Sequence, residues 1–276
     1  MASKKPTISW IPLRILNDIV EGRSSVIDWL RTVPAFGLTA VEIYHGFVGE
    51  GQAPEVRRVL DGEGLLVAQL TCAPDFTQSD PLQRKAEVGA LKQKIDVAAT
   101  LGAGAVRATA GMARAEVSLE DGCRWAADCL VECANYGESV GVLVCLENHY
   151  KDRRWPEEDF SYQLPVFLRL YELIEPTPVM VNFDCANPTM CGYDGLSLLK
   201  RVSAKARRVH ISDRLPGEYQ QLPLGEGAAP LTAMLDELAA SGYNGFMTIE
   251  DGQPYGDEGF RRSIARLREW IDERWA

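Results

Sequence analysis

The chain is expected to be an α/β protein, a single (β/α)8 TIM barrel over residues 1–276 with residues 1–6 as a short N-terminal tail. Three observations predict this. Short apolar or β-branched runs alternate with amphipathic stretches of helical period along the whole chain, which calls for parallel strands joined by crossover helices. The alternation yields eight strand candidates, the number a closed barrel needs. The first strand candidate ends Trp10-Ile11-Pro12-Leu13 with no glycine-rich phosphate loop after it, unlike the doubly wound open sheet that is the main competitor.

Taken in order, the strand candidates are Thr7–Ile11, Ala40–Tyr44, Leu65–Thr71, Ala105–Thr109, Val142–Glu147, Val179–Asp184, Arg207–Ile211 and Gly245–Glu250. Ser24-Ser25 caps a helix that runs through Val33. Ser79-Asp80-Pro81 combines a cap with an early proline and opens a helix to Leu101. Ser118-Leu119-Glu120-Asp121 resembles a capping box for a helix to about Ser139. Further helices are read over Tyr162–Ile174, Asp194–Ser203, Pro230–Ser241 and Asp257–Arg274. Gly37, Gly64, Gly102, Gly141 and Gly242 each fall between a helix and the next strand, where a left-handed residue is expected. No linker or charge block divides the chain.

Composition narrows the function classes. With 46% hydrophobic and 25% charged residues the chain has the make-up of an ordinary globular protein. No apolar run approaches the roughly 20 residues that span a bilayer. The N-terminal lysines Lys4 and Lys5 precede no apolar stretch, so no secretory signal is expected. The seven cysteines form no CxxC pair, and Cys72 and Cys145 sit in apolar runs. Reduced, buried thiols and a cytoplasmic location follow as expectations. A net charge of −10 and a pI near 4.9 argue against a nucleic-acid partner, and a membrane partner is not expected either.

The polar residues collect at the C-terminal ends of strands, where a barrel builds its active site. The second strand ends Tyr44-His45, the fifth Glu147-Asn148-His149, the sixth Asp184-Cys185-Ala186-Asn187, the seventh His210-Ile211-Ser212-Asp213-Arg214 and the eighth Glu250-Asp251. All three histidines of the chain are among them. Acidic residues and imidazoles in apolar strands are costly unless paired or ligating. Three carboxylates (Glu147, Asp184, Glu250) and one imidazole (His210) suit one hard to borderline divalent ion, with Mn²⁺ foremost and Mg²⁺ or Co²⁺ as alternatives.

These strand ends, together with Val41-Glu42-Ile43 and Leu224-Gly225-Glu226-Gly227, resemble the xylose isomerase-like TIM-barrel superfamily. The nearest branch is the sugar phosphate isomerase/epimerase family, including ketose 3-epimerases. The resemblance spans the chain and implies metal ligands at Glu147, Asp184, His210 and Glu250, with Asn187 and Asp213 near the site and Gly225-Glu226-Gly227 forming the loop after the seventh strand. Asn187 stands where ketose epimerases often have a histidine, and Ser212 where many members have a lysine. The loop from Asn148 to Ser161 is long for such a connection. DNA-repair endonucleases share the superfamily, but three histidines and a charge of −10 speak against that activity.

The resemblance implies a keto-sugar or related small molecule as substrate and proton transfer through an enediolate whose charge the metal holds. Glu147 and Glu250 are then the candidate proton carriers, giving isomerisation or epimerisation. Expulsion of a group β to the carbanion would make the enzyme a lyase instead, a dehydratase or a 3-keto-glycoside-cleaving enzyme. A non-catalytic sugar-binding barrel is the third reading. His149, on the same side of an extended strand as Glu147, is a further acid–base candidate. Substrate contacts are expected at His45, Asn187, Asp213, Arg214, Lys151 and Arg153. Aromatic walls are expected from residues at or just after strand ends, Trp10 and Tyr44 foremost and then Phe76, Trp155 and Tyr255. Arg107 points either toward the site or into the barrel. By analogy with related barrels, a homodimer or homotetramer is expected.

Overall fold

A computed structural model describes residues 5–49, 51–152 and 155–275. Eight parallel strands close into a barrel: β1 (Thr7–Ile11), β2 (Ala40–Tyr44), β3 (Leu66–Thr71), β4 (Ala105–Ala108), β5 (Leu143–Glu147), β6 (Met180–Asp184), β7 (Ala206–Ile211) and β10 (Phe246–Glu250). β10 pairs with β1 from Thr7↔Phe246 to Ile11↔Glu250 and so completes the ring. Every expected strand forms, with ends shifted by no more than a residue or so. A two-stranded hairpin, β8 (Asp213–Arg214) with β9 (Gln221–Leu222), lies between β7 and β10 and was not anticipated.

The helices outside the ring begin where the sequence supplies caps. Ser25 accepts from the Ile27 N–H ahead of α2 (Val26–Thr32), which follows the short α1 (Leu16–Val20). Asp80 accepts from Leu82 ahead of α4 (Pro81–Leu101), and Ser118 from Asp121 ahead of α5 (Leu119–Val140). Each such cap is worth about 1 kcal/mol. Only half of the expected capping box forms, because the Asp121 carboxylate takes the Ser118 hydroxyl rather than its backbone N–H. Gly102 and Gly141 end α4 and α5 at φ 75°. There an L side chain would meet its own backbone, and the other three expected glycines behave alike.

A helix absent from the sequence expectation, α3 (Ala53–Gly62), joins β2 to β3 and buries Ala53, Val56 and Leu60 on one face. The remaining helices are α6 (Leu164–Ile174), the short α7 (Asn187–Cys191), α8 (Gly195–Val202), α9 (Leu231–Ala240) and α10 (Gly256–Arg274). No helix among the described residues is long and apolar enough to cross a membrane. All seven cysteines are unpaired; five are buried and two half-buried.

Between ring and helices lies the apolar core, including Leu30, Leu60, Ile95, Leu130, Phe167 and Leu235. Inside the ring the filling is polar. Alternation turns Ser9, Glu42, Gln69, Thr71, Asn182, His210 and Thr248 inward, and all are buried. The Ser9 and Thr248 hydroxyls share a hydrogen bond at 2.7 Å. Gln69 Nε2 reaches Glu42 Oε2 and Asn182 Oδ1, both at 3.0 Å. Arg208, from β7, crosses the barrel to the Ala68 carbonyl of β3. Polar groups buried this way hold their cost down only by satisfying one another.

Candidate active site

The sheet register builds the site. Asp184 at the end of β6 pairs directly with His210 of β7, and His210 with Thr248, two residues before Glu250 of β10. On the other side Glu147 pairs with Asn182, two residues before Asp184. Glu147, Asp184, His210 and Glu250 therefore converge, each offering one ligand atom, all within 4.8 Å of one another. His210 Nδ1 lies 2.8 Å from Glu147 Oε1 and 3.2 Å from Glu250 Oε1.

Neighbours fix each of these groups. Asp184 Oδ1 accepts the backbone N–H groups of Ala186 and Asn187, which turns its Oδ2 into the cluster. That Oδ2 is buried and has no hydrogen-bond partner among the described residues. The Asn148 side chain ties the ends of β5 and β6 together, accepting from the Asp184 N–H at 2.8 Å and donating to its carbonyl at 2.9 Å. His210 Nε2 lies 2.8 Å from Glu42 Oε1. Glu42 itself also accepts from Thr71, Thr248 and Gln69. With both amide hydrogens of Gln69 taken by Glu42 and Asn182, Nε2–H donates to Glu42, and loss of the Nδ1 proton would turn a lone pair toward the carboxylates.

The electrostatics are those of a site arranged for a cation. Burial pushes Asp184 up to about 7, helped by the negative charges of Glu250 and Glu147. Burial also opposes ionisation of Glu147, but Arg107 and His210 outweigh it and hold the carboxyl well below the usual range. Burial would lower the His210 imidazole, yet Glu42 and Glu147 raise it well above its ordinary value. Three carboxylates around one imidazole, with a buried carboxylate oxygen left unsatisfied, fit one divalent cation. Glu147, Asp184, Glu250 and the Nδ1 of His210 would hold it.

Through Glu250 the cluster borders a cavity of about 360 Å³. Its lining includes Ile11, Tyr44, Thr71, Arg107, His149, Tyr150, Lys151, Asn187, Arg214, Tyr219, Gln221 and Glu250. Of the residues named from the sequence, Tyr44, His149, Lys151, Asn187, Arg214 and Glu250 line this one cavity. Arg107 points toward the site: its Nε lies 2.6 Å from Glu147 Oε2 and its Nη1 donates to the Cys72 carbonyl at 2.8 Å. Glu250 Oε2 accepts from Gln221 at 2.8 Å, while Arg214 gives one hydrogen bond to the Tyr219 carbonyl and lies under the Tyr219 ring.

Other expectations are corrected. Trp10 does not wall the cavity; with Ser9 turned inward it faces outward, its ring among Trp29, Phe36 and Phe260. Phe76 is buried away from the cavity, Tyr255 is exposed, and Trp155 stands edge-on to His149 without lining it. His45 lies in a short 3-10 turn with its ring against Tyr44, beside the cavity rather than in it. Asp213 makes no wall either. Its carboxylate is consumed by the N–H groups of Arg214, Gly225, Gly227 and Ala229 and so shapes the Gly225-Glu226-Gly227 loop. Arg153 lies outside the described residues.

Glu42 and Gln69 were not anticipated as site-supporting groups, although a polar residue inside Val41-Glu42-Ile43 or Ala68-Gln69-Leu70 is the signal for them. Gln221 and Tyr219, on the hairpin, carry no such signal.

The sequence profile of the xylose isomerase-like TIM barrel matches residues 30–270. The chain belongs to that family. A putative hydroxypyruvate isomerase of Streptomyces coelicolor is 28% identical over 165 residues, 58% of each chain. The match spans little more than half of that relative. Among solved structures, a D-tagatose 3-epimerase-like protein superposes with a TM-score of 0.80 at 17% identity, over 99% of this chain and 100% of that one. The IolI protein with a bound zinc atom gives 0.78 at 17% identity, over 97% and 99%. A probable 3-DHS dehydratase from Bacillus anthracis gives 0.73 at 13% identity, over 96% and 98%. At these identities the likeness is one of fold.

Proposed function

We propose that the protein is a divalent-metal-dependent isomerase or epimerase of a keto-sugar or sugar derivative, with Mn²⁺ as the first candidate and Mg²⁺ or Co²⁺ as alternatives. The observation that carries this reading is the Glu147–Asp184–His210–Glu250 cluster, whose Glu250 lines a cavity of about 360 Å³. A divalent ion there would stabilise negative charge developing on a substrate carbonyl and its neighbouring hydroxyl oxygen. The two glutamates are not equivalent. Glu147 is buried, with Arg107 facing its outer oxygen, whereas Glu250 lines the cavity. Glu250 is therefore the better placed to take a proton from carbon next to the carbonyl, the C–H electron pair moving to the carbonyl oxygen. Return of a proton to the adjacent carbon isomerises the substrate; return to the opposite face of the same carbon inverts it. Tyr44, Asn187, Lys151 and Arg214 surround the space the rest of the substrate would fill.

A second reading, a lyase, is favoured by one observation: His149 reaches the same cavity from outside the ligand set, where it can protonate a leaving group. Incubation with Mn²⁺ in D₂O against hydroxypyruvate, D-tagatose and L-ribulose tests both. Deuterium entering the carbon next to the carbonyl, without loss of a group, supports the isomerase. Release of water or another group supports the lyase. Retention of a divalent ion with no exchange in any keto compound tested would favour a non-catalytic sugar-binding barrel, and purified protein that neither holds nor responds to divalent ions would sink both enzyme readings.

A further inference from the structure

Near the end of the long connection after β5, residues 158–160 are tied to residues 111–113 and to Tyr150. Ala113 N–H donates to the Glu158 carbonyl at 2.8 Å, Phe160 N–H to the Gly111 carbonyl at 2.7 Å, and Asp159 N–H to the Tyr150 carbonyl at 2.8 Å. This stitching sets Asp159, fully buried, behind His149. Asp159 Oδ1 accepts from both the backbone N–H and the hydroxyl of Ser161 at 2.8 Å, which fixes the carboxylate plane and leaves Oδ2 facing His149 Nδ1 at 3.4 Å. That separation is at the long end for a hydrogen bond, as acid–base pairs often are before substrate arrives.

We propose that Asp159 is a positioning residue: it holds His149 as the Nδ1–H tautomer and so presents the Nε2 lone pair to the cavity as a second proton-transfer centre, separate from the metal ligands. A carboxylate at one ring nitrogen decides which nitrogen carries the proton. The proton transferred is one on substrate oxygen: Nε2 takes it from one oxygen and hands it to the neighbouring oxygen or to a departing one, with no other reactant consumed. The chemical part rests on the reading of the site as a proton-transfer enzyme; the tautomer part does not.

With three histidines in the chain, nitrogen NMR of ¹⁵N-histidine-labelled protein resolves the question directly. Metal-free and Mg²⁺-loaded samples are compared at about pH 8, where an ordinary imidazole is neutral. His149 is expected to carry its proton on Nδ1 in the wild-type protein; protonation at Nε2 overturns the proposal. Asp159→Asn keeps the oxygen that holds Ser161 but turns a donor toward Nδ1, so His149 is expected to switch to the Nε2–H form with Mg²⁺ affinity unchanged. A tautomer that stays put in D159N also overturns the proposal. In the D₂O exchange assay D159N is expected to be about 10²-fold slower. Wild-type exchange rates in a tautomer-switched D159N protein overturn the chemical part. Absence of exchange from the wild type too counts against the enzyme reading, and the tautomer measurement then decides this one.

Discussion

His210 and His149 come from strand ends on the same face of the barrel, yet their surroundings differ in kind. His210 is closed in at both ring nitrogens, with Glu42 on one side and Glu147 and Glu250 on the other. His149 faces the Asp159 carboxylate at one ring nitrogen and lines the cavity. An imidazole enclosed by carboxylates suits holding a cation; one with a carboxylate behind it and an edge on the cavity suits moving a proton. Removing groups from each side separates the two roles.

The largest effect is expected from the ligand side. Asp184→Asn leaves the backbone-anchoring oxygen but removes the charge of the unpartnered Oδ2. Mn²⁺ binding, measured by calorimetry, should weaken by more than the about 10- to 100-fold typical of groups outside the ligand set. Turnover should disappear with it. Retained tight binding would remove Asp184 from the ligand set.

Next comes the open histidine. His149→Ala should lower turnover by about 10²- to 10⁴-fold while metal affinity stays at the wild-type value. Near-normal turnover with the metal in place would erase the difference between the two histidines. Glu42→Gln should do the reverse, weakening Mn²⁺ binding by about 10- to 100-fold through a misoriented His210. An unchanged affinity would mean that Glu42 does not orient the ring.

The two surroundings also differ in how well they can be read from sequence. Glu147, Asp184, His210 and Glu250 stand out because each interrupts an apolar run at the same end of a strand, and a barrel brings those ends together whatever the loops do. Trp10 misleads because the polar side of β1, Thr7 and Ser9, turns into the barrel and the apolar side packs under the helices, the reverse of the usual polar-out pattern, while Ile11 is as apolar as Trp10. Asp213 misleads for another reason. A carboxylate beside the site looks free in sequence, and only the fold of the following loop shows four backbone N–H groups consuming it. Asp159 is invisible by the same logic, since its place behind His149 depends on how residues 158–160 return to 111–113. The helix α3 is obscured by Gly49, Gly51, Gly62 and Gly64 around it, which give the stretch the look of a loop.

The smallest effect sharpens the ligand side through pH. In the metal-free protein Asp184 is raised to about 7, by burial first and then by Glu250 and Glu147, and His210 is raised well above its usual range because Glu42 and Glu147 outweigh its burial. Both groups must lose a proton to take a divalent ion. Affinity should therefore climb with pH through the neutral range, by about tenfold per unit for each proton released. The sign for folding is opposite: a carboxyl raised in the folded state binds its proton more tightly there than in the unfolded chain. Its contribution to metal-free stability therefore falls as pH rises from the unfolded value toward about 7. Saturating Mn²⁺ should then raise the melting temperature more at about pH 8 than at about pH 6. A metal-induced shift that is flat between those two values would mean that neither Asp184 nor His210 exchanges a proton for the ion.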